Sequence, residues 1–293
     1  MESLEKECPL RLPNNCSWKF LYLSTGKYKD LSIYKCHKCG LQSLYPRPVQ
    51  SELYDADYYI GKAEYTYIDE RKTERSHRYV WDARLKNIQK YIKSGHFLDV
   101  GSSFGGFINS ARDKGFTIQG VEISKYASDY ANSMGIPTFN GSLLDARFPD
   151  ASFDVITLVE VIEHLESPRL IFEELYRILK PNGLLLLQTA NFEGWQAKNE
   201  GSNYHYYMPG HVFYYSDSVL KKSLTALGFE RFISYFGVDF SLMAKLKKAS
   251  GSFTKWTDYF QFLRICFYHW KSKISHEGFP LTSSYVLYAF KTK

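Results

Sequence analysis

The 293-residue sequence has no long apolar run and no strong excess of one charge. Its longest purely apolar stretch, around Leu184 to Leu187, is far shorter than the roughly 20 residues that cross a bilayer. No positively charged and then apolar leader opens the chain, so we expect a cytoplasmic protein. The net charge of +6 disfavours a nucleic-acid partner and leaves nucleotide, phosphate and anionic-lipid ligands open.

Cysteine is scarce, and four of the five cysteines precede residue 40, which fits a reducing compartment better than a disulfide framework. Cys36 and Cys39 form a C-x-x-C pair before Gly40, a spacing that lets two thiolates bind one tetrahedral ion. Cys8 and Cys16 complete a zinc site if the loop between them folds back. Four thiolates leave no open position, so such a zinc ion would stabilise the fold rather than catalyse. Free buried cysteines are the alternative.

Prolines are also few, and two of them mark a boundary at Tyr45 to Pro48. Apolar residues spaced like one helix face, from Trp81 to Ile92, predict a helix that stops at Gly95. The predicted parts are a cysteine-bearing segment at 1–48, a helical lid or linker at 49–95, and a main domain at 96–293 with a helical insertion at about 240–280.

From residue 97 onwards, short apolar runs alternate with helical spacing, which predicts an α/β fold with a parallel sheet covered on both faces. Lys180 to Gly183, with the sequence KPNG, is expected to form a sharp turn into a strand. The expected strands lie at 97–100, 117–123, 153–159, 183–189, 229–236 and 284–290. The expected helices lie near 104–114, 124–134 and 168–180, with another before Gly228.

A turn of small residues follows the first of these strands. Its glycines, Gly101, Gly105 and Gly106, do not match the G-x-G-x-x-G pattern, which disfavours a nicotinamide enzyme. Asp99, at the end of the strand, can accept a hydrogen bond from a cationic or amine-bearing ligand. Glu122 ends the next strand, where nucleotide folds place a ribose-binding acid. These features together favour an adenosine ligand that carries a positive charge.

Four sequence blocks carry a family resemblance: LDVGSSFGGF, GVEIS, FPDASFDVITLVEVIEHLESP and RILKPNGLLLLQTAN. They resemble the successive motifs of class I S-adenosylmethionine-dependent methyltransferases, over roughly residues 80–235. The resemblance implies a Rossmann-like, seven-stranded, mostly parallel sheet whose last strand is antiparallel. It also implies S-adenosyl-L-methionine as the cofactor, bound by Asp99, Gly101, Ser103, Gly105, Glu122, Ile123, Ser142, Leu143 and Glu160.

The same resemblance assigns roles within that set. Residues 99, 101 and 105 hold the methionine part of the cofactor, Glu122 the ribose hydroxyls, and Ser142 with Leu143 flank the adenine. Glu160 lies where the cofactor meets its substrate. This chain has Ser103 where the family commonly has glycine, and Ser142 where many relatives have an acid.

The N-terminal cysteine segment carries a second resemblance. The C-x-x-C-G pair followed by GLQSLYPRP resembles a zinc-ribbon extension found in a subset of these methyltransferases, including ones that act on sugars and surface polysaccharides. The predicted acceptor is therefore small or carrier-linked, such as a sugar or a lipid-linked intermediate. An RNA methyltransferase and a methyltransferase-like binding module without catalysis are the alternatives.

Methyl transfer mainly requires alignment of donor and acceptor, and a general base helps when the acceptor must lose a proton. The candidate catalytic residues are His164, His211 and Glu160, and His205 is a further candidate base. The alternatives are a helix-starting role for His164 and aromatic packing for His211. Glu160, Glu163 and His164 also resemble the E-x-x-E-H motif of ubiquinone-pathway O-methyltransferases, which implies a divalent ion such as magnesium.

An aromatic segment at 253–274, basic towards its end, allows two interpretations. The first is a helical insertion that packs on the core, and the second is a peripheral membrane or lipid-substrate surface. Cys266, in the same segment, is expected to be a core residue.

Overall fold

The computed structural model of the chain describes residues 8–10, 17–45, 47, 58, 69–250 and 258–292. The strands are β1 (Trp18–Leu23), β2 (Ser32–Cys36), β3 (Gln42–Tyr45), β4 (Gly95–Val100), β5 (Phe116–Glu122), β6 (Thr138–Asn140), β7 (Phe153–Val159), β8 (Leu179–Ala190), β9 (Phe213–Tyr214), β10 (Phe229–Phe236), β11 (Ser275–His276), β12 (Phe279–Pro280) and β13 (Ser284–Lys291). The helices are α1 (Glu74–Ile88), α2 (Gly106–Asp113), α3 (Lys125–Ser133), α4 (Pro168–Ile178), α5 (Trp195–Glu200), α6 (Asp217–Thr225), α7 (Leu242–Ala249) and α8 (Asp258–Lys271).

Seven strands form the main sheet in the order β10-β13-β8-β7-β4-β5-β6. Strands β4 to β8 are parallel to one another, whereas β13 is antiparallel to both β8 and β10. The expected seven-stranded, mostly parallel sheet is confirmed. The chain runs outwards from β4 through β5 to β6, and then returns to place β7 on the other side of β4. This reversal creates a crevice at the carboxyl ends of β4 and β7, where open α/β sheets bind ligands.

The leucine run of β8 accounts for its central position. Leu184 to Leu187 are fully buried, as expected of a strand with helices on both faces. The predicted KPNG turn differs from the structure, because these residues belong to β8. Pairing with β7 jumps from Phe153–Leu179 to Val155–Leu184, and Asn182 takes a left-handed φ of 63°. The turn is therefore an irregularity within the strand, which asparagine tolerates.

Helix α1 also differs from its predicted extent, since it begins and ends earlier than the apolar spacing suggests. After Ile88 the chain tightens, and the N–H of Lys90 donates to the carbonyl of Asn87 at 3.2 Å. Ile92 still packs against the core cluster that contains Leu85. The apolar spacing predicted which residues face the core, but it did not predict where the helix ends.

The N-terminal residues form a second sheet, in the order β1-β2-β3-β9. Strand β9 comes from the main part of the chain, and its Tyr214 pairs with Gln42 of β3. Cys8 and Leu41 belong to the same buried cluster as Leu187 of the main sheet. The described N-terminal residues thus pack directly on the main fold, and the boundary at residue 48 stays a prediction.

Helices α7 and α8 occupy the predicted insertion. Helix α7 packs on α1 and α8 packs on α7, but α8 has no buried residue. Cys266 is partly exposed, so the expected core position is wrong. Apolar and aromatic residues occupy several sides of this helix, and only one side of it can face the protein. Among the described residues, none of the helices combines the length and apolar character that a membrane crossing requires.

Candidate functional site

Three carboxylates lie at the crevice. Asp99 is the second-last residue of β4, Glu122 ends β5, and Glu160 directly follows β7. Asp99 is paired with Gly120 on one side and Thr157 on the other, so the three strands end at a common level. The sheet therefore brings together the acids that the sequence places at separate strand ends.

Glu122 connects the small-residue turn to the start of helix α3. One of its carboxylate oxygens accepts the backbone N–H of Ser103 at 2.9 Å, and the other accepts that of Ser124 at 2.8 Å. The side chain is 3% exposed. A carboxylate oxygen can accept more than one hydrogen bond, so Glu122 is chemically suited to ligand hydroxyl groups.

The turn itself keeps the course that glycine would give it. Ser103 has a left-handed φ of 50°, beside Gly101 at 74° and Gly105 at 83°. A Cβ atom at Gly101 would lie 2.4 Å from Cγ2 of Val161, so this glycine is sterically required. A left-handed serine costs about 1–2 kcal/mol, which explains why relatives use glycine there. The departure at Ser103 thus leaves the conformation of the turn unchanged.

Two buried hydroxyl groups in the turn fit a ligand. The Oγ atoms of Ser102 and Ser103 have no hydrogen-bond partner among the described residues. Buried polar groups are normally satisfied, so these two groups suit a ligand that carries hydrogen-bonding atoms. The carboxylate and amine of the methionine part of S-adenosylmethionine are such atoms.

Asp99 is adapted to a cationic ligand. Its Oδ1 accepts the hydroxyl of Thr157 at 2.6 Å. Burial nevertheless raises the pKa of Asp99 to about 7, because the ionised form is poorly solvated. A neighbouring positive charge would lower this pKa and recover that cost. The cluster of Asp99, Glu122 and the turn hydroxyls therefore fits an adenosyl ligand with a cationic amino-acid end.

The residues that are expected to lie near the adenine differ in their exposure. Ile123 is exposed beside Glu122, whereas Leu143 is buried in the core with 2% exposure. The hydroxyl of Ser142 donates to Asp145 at 2.5 Å, and the N–H of Asp145 donates back to Ser142 at 3.2 Å. The role of all three residues in binding the cofactor stays a prediction.

Two histidines meet just beyond Glu160. Nδ1 of His164 donates to the carbonyl of Gly210 at 2.8 Å, and Nδ1 of His211 donates to the carbonyl of Tyr206 at 3.1 Å. These contacts place the proton on Nδ1 and leave the lone pair on Nε2 of each ring. Burial lowers the pKa of His164 to about 4 and that of His211 well below its usual value, so both are neutral at pH 7.

Glu163 joins the two histidines. One ligand atom from each of Glu163, His164 and His211 lies within 4.8 Å of the other two, and we call this group the histidine–carboxylate centre. One oxygen of Glu163 is buried without a hydrogen-bond donor among the described residues. Burial, with a contribution from the charge of Glu160, raises the pKa of Glu163 to about 8. A divalent cation held by one ligand atom from each of these residues would favour the ionised form of Glu163.

The centre differs from the trio that the motif suggested. Glu160 accepts the side-chain amide of Gln188 at 2.9 Å and is not among the convergent ligand atoms, whereas His211 is. Two imidazoles and one carboxylate suit zinc, manganese or iron better than magnesium. His205 has a different partner, since it contacts Glu200 at 3.1 Å and is half exposed.

A buried polar network lies behind Glu160 and was not predicted from the sequence. Arg84 of α1 donates to Gln188, and it also forms an ion pair with Asp239 at 2.8 Å. Tyr288 donates to the same aspartate at 2.7 Å. Two signals were present: an arginine on the apolar face of α1, and a glutamine at the end of the leucine run of β8. The network holds Gln188 in place, and Gln188 in turn orients Glu160.

The cysteine cluster lies on the N-terminal side of the core. Cys8, Cys36 and Cys39 are buried with mutually close sulfur atoms, and the Sγ atoms of Cys8 and Cys39 are 3.4 Å apart. Thiolates on one tetrahedral zinc ion lie about 3.8 Å apart, as zinc–sulfur bonds of about 2.3 Å require. Cys16 lies outside the described residues. The three described thiols thus fit three of the four predicted ligand positions.

Comparison with known proteins identifies the domain. Residues 72–235, more than half of the chain, match the family model described as "Methyltransferase domain". The chain belongs to this family. The match covers the turn, Glu122, the histidine–carboxylate centre and the strands that position them. The resemblance to class I S-adenosylmethionine-dependent methyltransferases is confirmed.

Curated relatives match over shorter regions. The chain is 36% identical over 100 residues to 2-methyl-6-phytyl-1,4-hydroquinone methyltransferase of Synechocystis, which is 32% of this chain and 31% of that protein. It is 32% identical over 117 residues to ubiquinone biosynthesis O-methyltransferase of Coxiella burnetii, which is 37% of this chain and 50% of that protein. The chain spans between a third and a little over half of the length of such relatives.

Solved structures share the fold. A methyltransferase of Thermotoga maritima, described as a possible histamine N-methyltransferase, aligns with a TM-score of 0.52 at 18% identity, over 76% of this chain and 95% of that one. Phosphoethanolamine N-methyltransferase 2 of Haemonchus contortus, in complex with S-adenosyl-L-methionine, aligns with a TM-score of 0.54 at 16% identity. That alignment covers 96% of this chain and 70% of the other. At these identities the alignments establish the architecture.

Proposed function

We propose that this protein transfers the methyl group of S-adenosylmethionine to a hydroxyl group of a small or carrier-linked acceptor. The observation that carries the proposal is the arrangement around Glu160. Asp99 and Glu122, with the small-residue turn, form a cationic-nucleoside site on one side, and the histidine–carboxylate centre follows on the other. Donor and acceptor sites that adjoin in this way favour direct displacement.

The cofactor site supplies alignment. In the proposed complex, Asp99 and the hydroxyl groups of Ser102 and Ser103 receive the charged end of the cofactor, while Glu122 accepts its ribose hydroxyls. Glu122 is already held by two backbone N–H groups, so little ordering is required on binding. Holding two reactants in line can supply about 7–11 kcal/mol of the barrier reduction.

The histidine–carboxylate centre supplies proton removal. The acceptor oxygen attacks the methyl carbon, the carbon–sulfur bond breaks, and S-adenosylhomocysteine leaves. Where no ion is bound, the acceptor proton passes to Nε2 of His164 or His211, the ring nitrogen that the Nδ1 contacts leave unprotonated. A divalent cation held by Glu163 and the two histidines would lower the pKa of an acceptor hydroxyl bound to it.

The acceptor side favours an apolar or ring-shaped molecule. Tyr206 lies beside the centre, where burial raises its pKa with contributions from the charges of Glu160 and Glu163. Its ring stacks with His211 at 6.3 Å between centroids. The relatives named above act, by their names, on a hydroquinone and in ubiquinone biosynthesis. We therefore infer a lipid-linked or sugar-bearing acceptor, methylated in the cytoplasm, with zinc at the cysteine cluster as a structural ion.

Calorimetric titration tests the first half of the proposal. The purified protein should bind S-adenosylmethionine and S-adenosylhomocysteine with micromolar affinity and should not bind NAD. Turnover is then tested with methyl-labelled cofactor against hydroquinones, sterols and lipid-linked sugars. Absence of adenosyl-ligand binding would contradict the proposal, and binding without turnover of any acceptor class would favour a binding module.

A further inference from the structure

The outer side of α8 presents a continuous apolar stripe. Phe260, Leu263, Phe267 and Trp270 are spaced by three, four and three residues, so they lie along one helix face. Their side chains are 73%, 59%, 59% and 60% exposed, respectively. We call these four residues the outer stripe. Exposed contiguous apolar surface of this kind commonly marks a membrane or protein contact.

The charge of the protein is concentrated around the same helix. Residues 242–276 contain seven lysines and arginines and a single acid, Asp258. This segment therefore carries the entire net charge of +6, and the rest of the chain is balanced. Described basic residues lie beside the outer stripe on α8 and directly after it: Arg264, Lys271 and Lys273. Aromatic residues with flanking cations are the composition of interfacial membrane helices.

The inner side of α8 packs on α7. Tyr268 stacks under the ammonium group of Lys245, at 4.2 Å from the ring centroid. Burial raises the pKa of Tyr268, and the charge of Glu160 contributes to the shift.

We propose that α8 docks on an anionic lipid bilayer, with the outer stripe inserted among the headgroups and the flanking lysines and arginines bound to lipid phosphates. A second copy of the chain would also match an apolar helix face. It would, however, bring two segments of charge +6 together, and like charges oppose association. An anionic bilayer offers both apolar depth and opposite charge.

Vesicle co-sedimentation tests the docking directly. We expect the full-length protein to bind phosphatidylcholine vesicles weakly, and vesicles containing one third phosphatidylglycerol at least about tenfold more tightly. The stronger binding should fall in 0.5 M salt, because salt screens the lipid charge. The double variant Phe260→Ser with Phe267→Ser should lose most of it. Phe20→Ser is the matched control, since Phe20 is 56% exposed on strand β1.

The changed residues are exposed, so the variant should keep the thermal midpoint and any S-adenosylmethionine affinity of the parent. Light scattering without lipid supplies the competing outcome: a dimer that the double variant abolishes would overturn the proposal in favour of a second copy. Equal vesicle binding by the parent and the double variant would overturn it as well. The readout is independent of methyl transfer, so failure of the proposed enzymatic activity would leave this test intact.

Discussion

His164 and His211 meet edge to face, with 4.7 Å between their ring centroids and 72° between their planes. His164 follows β7, and His211 lies on the segment that leads into β9. The backbone N–H of Val212 donates to the carbonyl of Glu163 at 2.8 Å, which ties these two segments together. A main-chain bond thus sets the distance between side chains that are remote in sequence.

Metal content tests the histidine–carboxylate centre. Protein prepared with manganese or zinc should contain one ion at this centre, and His164→Ala or His211→Ala should each lose it, because two remaining ligands bind a divalent ion weakly. Elemental analysis measures the stoichiometry. His205→Ala is the control and should keep its ion, since His205 contacts Glu200. Unchanged metal content in both alanine variants would refute the centre as a metal site.

Glu122→Ala should weaken S-adenosylmethionine binding by about 1.5–3 kcal/mol, the usual loss for a charged hydrogen-bond partner. It should also lower the free energy of unfolding, because the N–H groups of Ser103 and Ser124 lose their acceptor. Glu122→Gln keeps one acceptor oxygen, so it should lose less binding affinity and less free energy of unfolding than Glu122→Ala. Calorimetry and urea unfolding measure the two effects. Wild-type affinity in the alanine variant would remove Glu122 from the ribose site.

Ser103→Gly should stabilise the protein by up to about 1 kcal/mol, because glycine adopts the observed left-handed φ of 50° without a Cβ conflict. The entropy of the more flexible unfolded chain offsets part of the gain. Urea unfolding measures the change. Ser102→Gly is the comparison, since Ser102 does not have a positive φ. Stabilisation by the Ser102 variant and not by the Ser103 variant would contradict the strain argument.

Binding of S-adenosylmethionine should depend on pH through Asp99. The pKa of Asp99 in the free protein is raised to about 7, so below pH 7 the carboxyl is protonated and must release its proton to meet the cationic ligand. Affinity should rise with pH up to about 7, by at most tenfold per unit, and then level off. Calorimetry in two buffers of different ionisation enthalpy detects the released proton. Asp99→Asn should bind more weakly and show no proton release.

Removal of a cysteine ligand should destabilise the N-terminal side of the core. Cys39→Ser should lose zinc and about 3–5 kcal/mol of stability, which corresponds to roughly 6–20 °C in the thermal midpoint. A strong chelator should produce a similar shift in the parent protein. Cys266→Ser is the matched control and should change neither value, because Cys266 is partly exposed on α8. If the purified protein contains no zinc and a chelator leaves its thermal midpoint unchanged, the cysteines are ordinary buried thiols.

The cofactor half of the site followed from sequence because each of its residues stands at a strand end. Parallel strands finish at one edge of a sheet, so Asp99, Glu122 and Glu160 could be placed together from their positions after apolar runs. The position of His164 could be predicted for the same reason, because it follows β7. The turn at Ser103 was also predictable, since the residues around it are small.

The acceptor half depended on contacts between distant segments. His211 was a candidate for its residue type, but nothing in its neighbourhood showed that it would meet Glu163. Arg84 and Gln188 looked like interruptions of apolar patterns, and their pairing requires that α1 crosses the end of β8. The exposure of α8 was not predicted, because aromatic residues on several sides of the helix do not show which side faces the protein.

Periodicity and turn chemistry in the sequence determine the individual strands, the helices and the cofactor turn, because these depend on interactions between residues close in the chain. The convergence of Glu163, His164 and His211, the gathering of Cys8 with Cys36 and Cys39, and the outward side of α8 were decided by tertiary structure. Each depends on packing between residues far apart in sequence, and such long-range contacts leave no local pattern.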